Sequence, residues 1–305
     1  MKSVLSRSFS ILIALLLLAA CAPAPAPVVS SLERDTKPEV SPDDMAALVA
    51  GNNACALDLY AALRDADGNL FASPFSISLA LAMTAAGARG QTETQMAEGL
   101  HFPLPPGRLH PAFNALDLEL ASRAGAASED AIPLQLNIAN AVWAQQDHPF
   151  LPEYLDLLAL HYGAGIHPAD FAAQAEPVRL EINDWVSDET TGRIEDLLAP
   201  GALDAAPRMV LVNAIYFKAD WLVPFDANDT SDAPFYLLDG SQVQVEMMHN
   251  DALTIPYLRG GNFQAIELPY AGGTAAMDIL VPDEGQFAAF ESALDAATLD
   301  SILAG

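Results

Sequence analysis

Apolar residues recur at helical spacing from about Asp44 to Leu63, where Leu48, Cys55, Leu59 and Ala62 share one stripe. A second helix is expected from near Pro74, with Ile77, Leu81 and Thr84 or Ala85 on one face, ending by Gly87 to Gly90. Thr92 and Gln95 have the spacing of a capping box for a third helix over TETQMAEGL. Leu134, Leu136 and Ile138 alternate with Gln135, Asn137 and Ala139, the period of a strand. Pro152 to His161 and Glu176 to Thr190 read as helices, the latter with Val178, Ile182, Trp185 and Val186 on one face. Met209 to Phe217, MVLVNAIYF, is apolar at both parities, which predicts a strand covered on both faces. Asn213 interrupts it; a buried carboxamide without a partner is costly, so Asn213 must bond to something specific. Phe263 to Leu268 and Met277 to Val281 are expected to pair as a hairpin through Tyr270 to Gly273, and Gln286 to Leu303 has a helical pattern. No repeat or second linker divides residues 45–305, so they read as one domain of mixed helices and sheets, of the α+β class.

The pattern changes ahead of that domain. Lys2 and Arg7 precede an apolar run, Phe9 to Ala20, too short to span a bilayer comfortably but laid out as an export signal. Leu18-Ala19-Ala20-Cys21 resembles the lipobox of bacterial lipoproteins. That resemblance implies removal of a signal at residues 1–20, lipid on Cys21, and attachment to the cell envelope through the lipid. Ala22 rather than Asp follows the cysteine, which by the same analogy favours the outer membrane or cell surface. Ala22 to Pro27, APAPAP, favours extended polyproline II, and with the polar sequence up to residue 44 it reads as a tether over residues 21–44.

Charge narrows the partners. The 305 residues carry 13 Lys and Arg against 40 Asp and Glu, a formal net charge of −27. A chain this acidic has no basic stripe to displace counterions from phosphates, which excludes nucleic acid. Anionic lipid would repel it, so membrane attachment requires a hydrophobic device such as the Cys21 lipid. Two cysteines form neither a disulfide framework nor a thiolate zinc site, and Cys55 is expected to be a buried apolar residue. Asp65, Asp67 and Asn69 begin like a calcium loop, but Gly68 falls one place early and Ser76 replaces the twelfth-position Glu, so calcium is rejected. The six histidines lack metal-ligand spacing and are expected to be solvated or at the core edge. No metal, cofactor or catalytic constellation is expected: GxGxxG, Walker, GxSxG and HExxH patterns do not occur.

Five blocks, in family order, resemble the serpin family: NLFASPFSISLALAMTAAGARGQTETQMAEGLHF (Asn69 to Phe102), INDWVSDETTGRIEDLL (Ile182 to Leu198), RMVLVNAIYFKADWLVPFD (Arg208 to Asp226), TSDAPFYLLDGSQVQVEMM (Thr230 to Met248) and FQAIELPYAGGTAAMDILVP (Phe263 to Pro282). The resemblance implies a monomeric inhibitor of serine or cysteine proteases, acting by cleavage of a reactive loop and insertion of that loop into sheet A. On this resemblance Ser73, Ser76 and Asn213 match the shutter, where sheet A parts. Trp221 and Lys218 match the breach, where the loop enters. Thr190, Gly192 and Ile194 match the turn after the helix that must yield. A basic helix for glycosaminoglycan is not expected, since His101 to Arg123 carries only Arg108 and Arg123. Serpins continue beyond the Leu299 to Leu303 region, so residues 45–305 are expected to cover the N-terminal three quarters of the domain, without the hinge and reactive loop. The strand matching 3A would then lie at an open edge of sheet A. The other reading is a non-inhibitory serpin-fold lipoprotein that binds or supports a partner.

Overall fold

Ser41 starts the first helix, α1 (Pro42–Leu63): its hydroxyl accepts the Asp44 N–H at 3.1 Å, and Pro42 takes a first-turn position where no N–H is needed. The computed structural model describes residues 30–304 except 67, 126–131, 133, 164–165 and 252. The expected signal at residues 1–20, Cys21, the first part of the tether and Asp67 therefore lie outside the described residues. Within the expected α1 stripe only Leu48 is fully buried; Cys55 and Leu59 are half-buried and Ala62 is exposed. Leu48 joins Leu79, Ala82, Phe102, Leu104, Leu109 and Phe113 in one apolar cluster. The rest of α1 lies along the flank of the body, so periodicity overstated its buried face.

The second helix, α2 (Pro74–Ala85), departs further from its predicted face. Ile77, Leu81, Thr84 and Ala85 are half-buried, whereas Ser76, Ser78, Leu79, Ala80, Ala82 and Met83 are buried. Leu79 and Ala82 belong to the cluster with α1, and Ala80 and Met83 to a second cluster against the sheet. A helix wedged between two clusters has no single apolar stripe. The third helix, α3 (Gln91–Gly99), is capped by Gly90 at φ +62°, with no side-chain cap, so the Thr92–Gln95 capping box does not form. Next come α4 (Pro106–Ser122) and α5 (Pro152–Tyr162), which ends at Gly163 with φ +59°. The sixth, α6 (Phe171–Glu189), is broken at Gln174 and runs regularly only beyond it, close to the predicted start at Glu176.

Three strands form the central sheet in the order β2-β1-β3: β1 (Gln135–Gln145), β2 (Ile166–Ala169) and β3 (Met209–Lys218). β1 extends past the predicted strand because Ala141, Val142, Trp143 and Ala144 are all buried, which erases the alternation. β1 and β3 pair antiparallel from Gln135↔Lys218 to Ala144↔Met209. Ala141, Trp143, Val212 and Ala214 face Val178, Ile182 and Val186 of α6. Val142 and Ala144 face Ala80 and Met83 of α2, with Leu155 and Leu158 of α5. Each large aliphatic side chain so buried contributes about 1.5–3 kcal/mol. Among the described residues β3 pairs with β1 alone and forms the edge of the sheet, as expected.

Beyond the sheet, β4 (Ser231–Tyr236) and β5 (Gln242–Met247) make a two-stranded ribbon. A third sheet has the order β6-β7-β8, from β6 (Tyr257–Arg259), β7 (Phe263–Pro269) and β8 (Ala276–Pro282), and contains the predicted hairpin. The predicted helix at 286–303 is two, α7 (Phe287–Ala293) and α8 (Ala296–Leu303). Asp295 divides them: its side chain accepts the Thr298 N–H at 2.8 Å and starts α8 afresh.

Of the expected tether, residues 42–44 belong to α1 and residues 30–41 are bound to the body. The Ser30 hydroxyl donates to Asp156 at 2.5 Å, and Asp35 N–H donates to the Leu160 carbonyl at 2.9 Å. Arg34 donates to Asn114 at 2.8 Å and pairs with Asp117 at 2.6 Å. Val40 packs on the cluster of α1, α2 and α4. This segment is a strap across α4 and α5.

Candidate functional site

Alternation along β3 places Val212 and Ala214 under α6, which turns Asn213 to the opposite face, toward the first turn of α2. There the Ser76 hydroxyl, fully buried, lies 2.9 Å from Asn213 Oδ1 and 3.1 Å from the Ser73 carbonyl. Asn213 Nδ2 donates to Asn140 Oδ1 at 2.8 Å and to the Ser76 carbonyl at 3.3 Å. Ser76 and Asn213 are thus brought together, while Ser73 contributes only its backbone carbonyl. Asn140 belongs to the same network and was missed. It stands opposite Asn213 in the ladder, so its position follows only once the β1–β3 register is known.

The predicted turn after the long helix is tied down by one hydroxyl. Thr190, 1 % exposed, donates to the Val186 carbonyl at 2.7 Å and accepts the Ile194 N–H at 3.1 Å. Gly192 adopts φ +74°, which a β-carbon disfavours, and its N–H reaches the Ser187 carbonyl at 2.8 Å. Ile194 is 38 % exposed. The segment beyond the turn is fastened at Leu198: its N–H donates to Asn183 Oδ1 at 2.8 Å, and its carbonyl accepts from Asn183 at 3.0 Å and from Arg179 at 2.6 Å. Arg179 also holds Glu176 through two bonds, at 2.9 and 2.7 Å. Neither Arg179 nor Asn183 was singled out in the sequence; a buried polar pair on a helix is visible only from the packing.

Trp221 lies just beyond β3 and stacks on Tyr270, with ring centroids 4.6 Å apart and planes 10° apart. Leu222 N–H to the Pro269 carbonyl (2.9 Å) and Ala271 N–H to the Asp220 carbonyl (2.8 Å) fix this junction. Burial raises the affinity of the Tyr270 hydroxyl for its proton. Lys218 is exposed at the end of β3, opposite Gln135. The arginine of α4 and the one that caps it are engaged: Arg108 pairs with Asp44 at 2.8 Å and Arg123 with Glu119 at 3.4 Å.

The six histidines do not all follow the expectation of solvated or core-edge positions. His110 is 3 % exposed, with Nδ1 at 2.6 Å from the Tyr162 hydroxyl. Its ring stacks on His161 at 6.4 Å. Desolvation, with the neighbouring His161, lowers its pKa to about 4. Cys55 is half-buried rather than buried, and desolvation followed by the Asp58 charge raises its thiol pKa. Among the described residues no group of three or more His, Cys, Asp or Glu side chains is placed to hold a metal ion.

Residues 50–304 match the family model described as Serpin (serine protease inhibitor). The chain is 40 % identical over 242 residues to the leukocyte elastase inhibitor of Sus scrofa, covering 78 % of this chain and 62 % of that protein. It is 37 % identical over 251 residues to an uncharacterised serpin-like protein of Thermococcus kodakarensis, covering 82 % of this chain and 57 % of that protein. Among solved structures, emu ovalbumin superposes with a TM-score of 0.73 at 28 % identity, covering 84 % of this chain and 68 % of that one. The chain therefore spans about three fifths of the length of these curated relatives.

Proposed function

The chain belongs to the serpin family, and from that premise we propose that the protein it represents inhibits a serine or cysteine protease by accepting its own cleaved loop as a new strand of the central sheet. The observation that carries this is the join between α2 and β3. Asn213, half-buried, interrupts an apolar strand and is satisfied by Ser76 and Asn140, so the sheet rests on its supporting helix through exchangeable hydrogen bonds at this point. In this proposal Ser73, Ser76, Asn213 and Asn140 gate parting of the sheet, Trp221 and Lys218 mark the entry end, and Thr190, Gly192 and Ile194 form the turn beside the helix that yields. The protein acts as an inhibitor rather than an enzyme and works as a monomer. It is exported and held to the cell envelope by lipid on Cys21, in the outer membrane or at the cell surface.

The test is incubation with a panel of serine and cysteine proteases, scored by an SDS-resistant complex. In this proposal residues 45–305 alone form none, because the resemblance puts the reactive loop outside them. A protein that also carries that loop should form one with its target. A covalent complex with residues 45–305 alone would overturn this account. Binding of a partner without cleavage or complex formation would instead favour the non-inhibitory reading, in which the fold serves as an envelope-held scaffold.

A further inference from the structure

The strap crosses α4 and α5 directly above two stacked imidazoles. Asn114, fully buried and one turn beyond His110 on α4, donates to the Asp35 carbonyl at 2.7 Å. Leu160, adjacent to His161 on α5, accepts the Asp35 N–H at 2.9 Å. The strap's two backbone anchors are thus next to the two histidines in the chain. His161 Nδ1 is buried without a hydrogen-bond partner, and His110 Nδ1 is committed to Tyr162. From this geometry we propose that His110 and His161 form an acid-operated latch that frees residues 30–41 from the α4–α5 groove when the pair takes up protons.

The charged and titratable groups around the pair set the order of events. On the strap, Asp35 favours a charge on His161, whereas Arg34 is spent on Asn114 and Asp117; Glu33, Lys37 and Glu39 are exposed. On α5, Tyr154 and Tyr162 hold their protons tightly through burial, and Asp156 receives Ser30. On α3, Glu93 and Glu98 line the groove beside His110. Desolvation lowers the proton affinity of His161 below the ordinary value, and Asp35 offsets part of that loss. The first proton therefore goes to His161, where Asp35 balances it. The second falls on His110, which faces the charged His161 ring at 6.4 Å, and the seam opens to hydrate it. A released strap adds roughly 40 Å of reach at about 3.4 Å per residue. If the Cys21 anchor proposed above is correct, acid then lets the domain stand farther from its membrane; the latch itself does not depend on the anchor.

Hydrogen exchange of the strap amides, corrected for the intrinsic pH effect, tests the latch on the full chain. Between pH 7 and pH 4.5 the opening constant of the Asp35 amide should rise on the order of 50-fold, from the tenfold change that each unit of pKa difference represents. His110→Gln keeps a hydrogen-bonding group without the charge, and should remove most of that rise while leaving the strap closed at pH 7. Arg34→Ala should open the strap at both pH values and supplies the signal of the open state. Direct NMR titration of the wild-type imidazoles needs no variant: both should titrate below pH 6.5. The proposal is overturned if His110 titrates at or above pH 6.5, if the His110→Gln strap opens with the full acid dependence, or if strap and core amides exchange together at every pH. Whether Cys21 carries lipid is read separately from membrane fractionation, so failure of the anchor leaves the latch intact.

Discussion

Ser76 and Asn213 stand 137 positions apart in the chain, yet the hydroxyl of one lies 2.9 Å from the carboxamide oxygen of the other, joining α2 to β3. Both belong to a network in which Asn140 is the third side chain. Asn213→Ala leaves the Asn140 oxygen without its donor and the buried Ser76 hydroxyl with only the Ser73 carbonyl, and should lower stability by about 1–3 kcal/mol in urea unfolding. The Ser76→Ala and Asn213→Ala effects should not add: a double-mutant cycle should show coupling of about 0.5–3 kcal/mol. Simple additivity would mean the contact carries no energy.

Asn183 grips both backbone groups of Leu198 while only 2 % exposed itself. Asn183→Ala should cost about 1–3 kcal/mol and make the segment around Leu198 the first site of proteolytic nicking. Digestion at low protease concentration, with the fragments identified by mass, checks this; unchanged resistance there would refute it.

At Gly163, φ is +59° and an added β-carbon would lie 2.9 Å from Cδ of Arg34. Gly163→Ala should therefore lose about 1 kcal/mol through backbone strain alone and displace the Arg34 side chain. The strap amides should exchange faster in this variant at pH 7, whereas those of β7 and β8 should not change.

Much of this architecture is legible in the residues, and the failures share a cause. MVLVNAIYF announced an apolar strand with one amide that needed a partner, and β3 is that strand, but only Val212 and Ala214 on its α6 face are buried, the other face is half-buried, and Met209 and Phe217 at its ends are exposed. The fully buried part of β1 was not delimited, because Ala141 to Ala144 are all inside and leave no alternation. The capping box failed because Gly90 reaches a positive φ two residues ahead of Thr92 and caps the helix there, and the last helix was split by a cap at Asp295 that local pattern underweighted. Asn140 and the Asn183–Leu198 clasp escaped notice, and the burial of His110 was misjudged, for another reason. Each acquires its meaning from a residue on a different segment, and periodicity along one element carries no information about its neighbour.

Burial and the nearby Asp58 charge hold the Cys55 thiol protonated. In a Cys21→Ser chain it should react with a disulfide reagent at pH 8 more slowly than glutathione does, and unfolding in urea should abolish the difference. Equal rates in the folded chain would show a thiol more open than its surroundings indicate.

The same Cys21→Ser change tests attachment. The wild-type protein should partition into detergent with the membrane fraction and incorporate labelled fatty acid; the variant should do neither. Labelling of the variant would place the lipid elsewhere or remove it from the account.

The polar join beneath β3 has a mechanical meaning. Parting interlocked apolar surfaces costs about 25 cal/mol for every Å² wetted, whereas a hydrogen bond handed over to water forfeits only about 0.5–1.5 kcal/mol net. Where β3 rests on the first turn of α2, the Asn213 contacts are of the second kind, which suits the parting of the sheet proposed above. Asn213 also meets Ser76 and Asn140 at only one register, and a slip of one residue would turn it to the opposite face of the sheet. In the proposed mechanism the contact is a keyed joint: water takes its place while the sheet is parted, and it closes in one position.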